Sequence, residues 1–203
     1  MTSRKLRFLL APLAVALGSI AFAADSTAPG QLSPPSSTSQ KAGDAAGRAA
    51  RDAEKAAREA ADATKAAAEK SRIATGKVSK ALAEGVRRAA RKAAEAAKRL
   101  EEKASTSANR ALDKSKDAAR TVEEESKKAS AATAEALQRA EESLKRSAEA
   151  SKEDAEKAAQ VTREALDKAV EATRSAAKAA ADASARTVEA IKHAARPVGT
   201  DKK

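Results

Sequence analysis

The chain has 203 residues, a formal net charge of +11 and no cysteine. Fifty-nine residues are alanine, and ten of the larger apolar residues fall in the first 23 positions, the one Met and both Phe among them. What remains cannot offset a backbone entropy of about 1–2 kcal/mol per residue through an ordinary hydrophobic core. That excludes most enzymes, and the lack of Cys excludes disulfides, thiolate metal sites and thiol chemistry.

Residues 1–23 read as a secretory signal peptide. Arg4, Lys5 and Arg7 supply a basic start, Phe8 to Ile20 a short apolar run, and Ala21-Phe22-Ala23 a small-x-small cleavage site. The run falls short of the roughly 20 residues a bilayer span needs, and Pro12 interrupts it, so cleavage after Ala23 is expected rather than anchoring. The expected location is periplasmic or secreted. Residues 24–43 hold Pro29, Pro34, Pro35, Gly30, Gly43 and a run of Ser and Thr, the composition of a disordered linker.

From Asp44, a candidate N-cap, the composition changes to strong helix formers, with no proline until Pro197. The predicted fold is all-α: one very long helix over 44–196, about 230 Å at 1.5 Å per residue, then a disordered tail, 197–203. An 11-residue period runs through it. Stepping by 11 from Ala45 meets apolar residues at every position but Thr133, and the larger ones recur every 22: Val78, Leu100, Val122, Leu144, Leu166 and Val188. Four places on, Leu82, Leu137 and Val170 join the same stripe, while the column two places on is mostly charged. Eleven residues make three turns of 3.67, so this stripe follows the helix almost straight. Acid-first i, i+4 pairs such as Glu54–Arg58, Glu95–Arg99 and Glu123–Lys127 add a few tenths of a kcal/mol each.

The stripe is narrow and mostly methyl groups. Its larger side chains occupy a minority of seam positions, unlike those of a tight coiled coil. Weak self-association and marginal helicity in dilute water are expected, with helix gained on drying or on a surface. Charge is uneven as well: residues 72–120 carry 14 basic against 6 acidic side chains, and residues 121–171 carry 9 against 13. An antiparallel pairing of the two segments would set Val78 and Leu100 beside Leu166 and Leu144. No Gly or Pro marks a turn between them, so a continuous helix is expected in a dilute monomer. Arg87, Arg91 and Lys98 share one helix face, as do Arg88, Lys92 and Arg99. This basic patch suits an anionic membrane or envelope surface. Export argues against chromosomal DNA, and no aromatic is available to stack on bases.

The unit Ala56-Ala57-Arg58-Glu59-Ala60-Ala61-Asp62-Ala63-Thr64-Lys65-Ala66 resembles the repeat of the third group of late embryogenesis abundant proteins. The resemblance covers about three quarters of the chain and rests on period and composition. It implies a stress protectant that is largely disordered when hydrated and helical when dried. The pairing of repeats into 22s is similar to exchangeable apolipoproteins and implies lipid-surface binding; that family's proline punctuation and aromatics are absent here.

His193 is the only histidine, one turn before the helix stop, and reads as a cation at a helix C-terminus. With no second His and no Cys there is no catalytic triad or metal set, and no Gly-rich loop cradles phosphate. No cofactor, metal or small-molecule substrate is expected. Two functions follow: an exported, non-enzymatic stress or desiccation protectant, or a structural or adaptor helix that binds anionic envelope surfaces or forms a weak coiled coil.

Overall fold

In the computed structural model the described residues are 37–73, 80–149 and 151–195, all within one unit spanning 35–203. The expected signal peptide, most of the linker, Val78 and the tail lie outside them. The described residues are helical almost throughout and contain no strand. The single long helix is not what forms. Among the described residues four helices do: α1 (Ser37–Ile73), α2 (Lys80–Arg110), α3 (Lys116–Glu149) and α4 (Lys152–Ala195). α1 begins within the segment read as linker.

Neither described break needs Gly or Pro. α2 ends after Ser105-Thr106-Ser107-Ala108-Asn109, where propensity is low. Leu112 then turns extended, with φ −70° and ψ 154°. A short 3-10 turn over Asp113–Ser115 follows, closed by the Ser115 amide and hydroxyl, which both donate to the Leu112 carbonyl at 2.8 and 3.0 Å. At the second break Ser151 caps α4. Its Oγ accepts from the Asp154 amide at 3.3 Å and donates to the Asp154 carboxylate at 2.8 Å. This is the Ser-x-x-acid arrangement that satisfies free amides at a helix start, and Glu153 and Asp154 also complement the helix dipole.

The helices form an up-down-up-down bundle. α1 and α3 each pack on α2 and α4, while the diagonal pairs barely touch. Antiparallel packing of α1 and α4 brings Ile191, near the end of α4, onto Gly43 and Gly47, near the start of α1. Likewise Thr162 Oγ1 of α4 donates to the Arg139 carbonyl of α3 at 2.9 Å.

The buried seam follows steps of three and four residues. On α2 it runs Ala83, Val86, Ala90, Ala93, Ala97, Leu100, Ala104, Ser107. On α3 it continues from Ser115 through Ala119, Val122, Ser126, Ala129, Thr133, Ala136 and Ala140 to Ser143. α1 has the same spacing from Ala46 to Ser71, and α4 has it from Leu166 to Ala190. A repeat of seven, not eleven, therefore lines the core over most of the bundle, the spacing of a left-handed coiled coil. One 11-residue interval survives: in α4 the steps Ala155, Ala158, Thr162, Leu166 include two consecutive fours.

Among the described residues, all but four of the buried apolar ones are alanine; the exceptions are Val86, Leu100, Val122 and Leu166. Methyl-sized seams lose almost no side-chain entropy and let helix axes approach closely. Each contributes little transfer energy, about 0.8 kcal/mol per buried carbon. The buried hydroxyls are largely satisfied locally: Thr64, Thr133, Thr173 and Thr187 each donate to the carbonyl four residues back at 2.7–2.9 Å.

The four helices meet in two layers. In one, Leu100 and Val122 sit with Ala57, Ala60, Ala176 and Ala180. In the other, Leu166 sits with Val86, Ala67, Ala90, Ala136 and Ala140. Leu100 therefore shares its layer with Val122, not with Leu144 as an antiparallel pairing of the two segments would have it, and Leu166 shares its layer with Val86. The 22 residues between Leu100 and Val122 straddle the turn at Ala111–Leu112, so these two rungs of the ladder lie side by side.

Candidate interaction surfaces

Of the predicted stripe, Leu100, Val122 and Leu166 are fully buried. Leu82, Leu137 and Val170 pack half-buried against the second layer. Leu144 is half-buried, Val188 is 42% exposed, and Val78 lies outside the described residues. The stripe therefore does not form one surface. Sequence reading missed Val86, Ile191 and the Ser/Thr positions of the seam; the seven-residue spacing of Val86, Ala93, Leu100 and Ser107 was the available signal.

The predicted basic patch stays together on α2. Arg88, Arg91, Lys92, Lys98 and Arg99 are exposed, and Arg87 is half-buried beside the seam. The Arg87 Nε is buried without a hydrogen-bond partner, as is that of Arg163 on α4; such long stems cover apolar surface. Arg88 Nε reaches the Glu84 carbonyl at 3.4 Å.

Ion pairing differs sharply between helices. Pairs hold Arg58 to Glu54 on α1, Lys127 to Glu123, Lys128 to Glu125 and Arg146 to Glu142 on α3, and Lys157 to Glu153 on α4. Arg72 of α1 bridges to Asp167 of α4 at 2.9 Å. Among the described residues none of the ion pairs lies on α2, where the expected Glu95–Arg99 pair does not close. The helix nonetheless carries nine basic and four acidic side chains.

On the α3–α4 side, Glu125 accepts from Lys128 at 2.6 Å and from the Ser175 hydroxyl at 2.8 Å. Both bonds hold its carboxyl below the ordinary value, the Lys128 contact most strongly. Glu142 is lowered by Arg146, while Lys127 and Lys128 are raised by Glu123 and Glu125.

Among the described residues, shallow grooves open to solvent between neighbouring helices. One, between α3 and α4, is about 330 Å³ and is lined by Asp117, Glu125, Lys178 and Arg186 among others. Another, between α2 and α3, is about 420 Å³ and is lined by Lys98, Glu101, Glu102, Ser105, Glu123 and Lys127. Both mix charges of either sign and neither encloses a ligand. Among the described residues no cluster of His, Asp or Glu could hold a metal ion. No described helix is long and apolar enough to cross a membrane. Compared with protein families, with curated proteins and with solved structures, the chain matches none.

Proposed function

We propose that this is an exported, non-enzymatic protectant, a molecular shield against stresses such as drying. The observation that carries the reading is the alanine seam. Helices of high intrinsic propensity, joined by so little buried side-chain volume, hold one another weakly and can exchange that contact for another surface when water is withdrawn. The dense, mixed charge on the outer faces keeps such chains soluble between a client's molecules. The other reading from sequence, a structural or adaptor helix that binds anionic envelope surfaces or forms a weak coiled coil, draws its support from the exposed basic face of α2.

The test is to dry a labile oligomeric enzyme with and without the protein and to follow helicity by circular dichroism in buffer and after drying. Retained enzyme activity above that given by an equal mass of serum albumin is the expected result. Equal or lower protection would remove the proposal, whatever the helicity.

A further inference from the structure

We propose that the outer face of α2, from Arg87 to Arg99, is a docking face for an anionic phospholipid surface, used while the bundle remains folded. The proposal stands apart from the protectant reading and rests on different observations. Six cations and one carboxylate, Glu95, occupy residues 87–99, with Glu84 before them and Glu101 and Glu102 after. Five of the six cations are exposed, and none of the six is in an ion pair. The other helices are balanced by comparison: α3 carries seven basic and eight acidic side chains and α4 eight of each. The charge surplus of the bundle therefore lies mainly along one helix rather than spread over its surface.

The geometry favours lipid headgroups among polyanions. The seam of α2 faces inward at Ala90, Ala93, Ala97 and Leu100. Arg88, Arg91, Lys92 and Arg99 thus project from the opposite side, along about 16 Å of helix, with Lys98 at its border on the groove toward α3. A row of flexible cations on such a face matches mobile phosphates in a plane. The patch has no aromatic to stack on bases and no Asn or Gln to read base edges. It also has no large apolar residue to insert, so attraction is electrostatic, reaching roughly a Debye length of 8 Å at physiological ionic strength.

Sedimentation of the full-length chain with vesicles tests this, using phosphatidylcholine alone and phosphatidylcholine with about a third phosphatidylglycerol. The amino-terminal segment is common to every variant, so comparisons between variants isolate α2. Replacing Arg88, Arg91, Lys92 and Arg99 by Gln should lower partition onto the anionic vesicles about tenfold or more. Replacing Lys168, Arg174, Lys178 and Arg186 of α4 by Gln removes the same charge and should lower it far less. Changing Arg88, Arg91 and Arg99 to Lys keeps charge and fold and should preserve binding. An environment-sensitive fluorophore attached through Glu95→Cys should respond to anionic vesicles, and one attached through Glu171→Cys on α4 should not. Equal losses from the α2 and α4 Gln variants, loss of binding in the Lys variant, or equal responses from the two fluorophores would overturn the proposal. So would a DNA duplex that binds more tightly than the vesicles and depends on the same α2 cations.

Discussion

Ile191 Cδ1 lies 3.1 Å from the point where a Cβ on Gly47 would stand, and its Cγ1 lies 3.6 Å from the same point on Gly43. The backbone of α1 is thus the floor on which the largest apolar side chain near the end of α4 rests. A methyl at Gly47 must displace the end of Ile191 by a few tenths of an ångström, while alanine gains about 1 kcal/mol of helix propensity over glycine. Gly47→Ala should be close to neutral in urea melts, and Gly47→Leu should destabilise. Gly85 has nothing within 4 Å of its added Cβ, so Gly85→Ala should stabilise by about the full 1 kcal/mol. If Gly47→Ala stabilises as much as Gly85→Ala, Ile191 is not seated there.

The two layers predict an uneven response to truncation. Leu100 and Leu166 are fully buried and are the largest fully buried side chains among the described residues. Leu100→Ala or Leu166→Ala should cost about 2–4 kcal/mol, a large share of the stability of a bundle otherwise held by methyl groups, and should lower Tm markedly. Val188, 42% exposed, belongs to the same 22-residue ladder. Val188→Ala should leave Tm unchanged or raise it slightly, since alanine is the better helix former. Equal losses at all three positions would mean that the ladder, not the layers, organises packing.

That contrast marks how far the sequence could be read. Helix was legible from Asp44 onward, because that region is built mainly from Ala, Lys, Arg and Glu with no proline before Pro197; the start of α1 at Ser37 was not, because Ser, Thr and Gly there read as linker. The period was not, because alanine is so frequent that repeats of seven and eleven both find methyl groups. Only larger residues can separate the two. Val86 and Leu100, two heptads apart, favour seven; Leu144 and Leu166, two elevens apart, favour eleven. The turn at Leu112 was hidden for a related reason. Its signals, a low-propensity stretch before it and Ser115 after it, are weak beside the Gly and Pro that usually mark a break. The basic face on α2 was legible because charge does not depend on which way the seam runs, but only the folded bundle reveals that none of its cations is in an ion pair.

Acid should loosen the bundle, with a sign fixed by Glu125 and Glu142. Both carboxyls titrate below their ordinary 4.5 in the folded chain. Their contribution is present above that value and is lost as pH falls through the lower folded one. Lys127 and Lys128 titrate above their ordinary 10.5, so theirs is complete below it and is lost as pH rises through the folded value. Stability should be flat between these limits and decline outside them. Glu125→Gln should be slightly less stable at pH 7 and show a shallower acid limb, read by urea midpoints between pH 3 and pH 7. An acid limb as steep as that of the unaltered chain would show that Glu125 does not contribute.

The folded-back arrangement makes its own demand on distance. Ala57 and Ala180 share a layer, so the exposed side chains beside them, Arg58 on α1 and Lys178 on α4, belong to the same level of the bundle. On one continuous helix these two positions would stand about 180 Å apart, beyond the reach of dipolar spectroscopy between spin labels. The chain has no native cysteine, so Arg58→Cys and Lys178→Cys introduce two labels and nothing else reacts. In dilute buffer the bundle predicts a single distance of a few nanometres that persists when labelled protein is diluted into an excess of unlabelled chain. A distance that vanishes on such dilution would assign the contact to pairing between molecules. No measurable distance at any concentration, with helicity retained, would return the molecule to an extended rod.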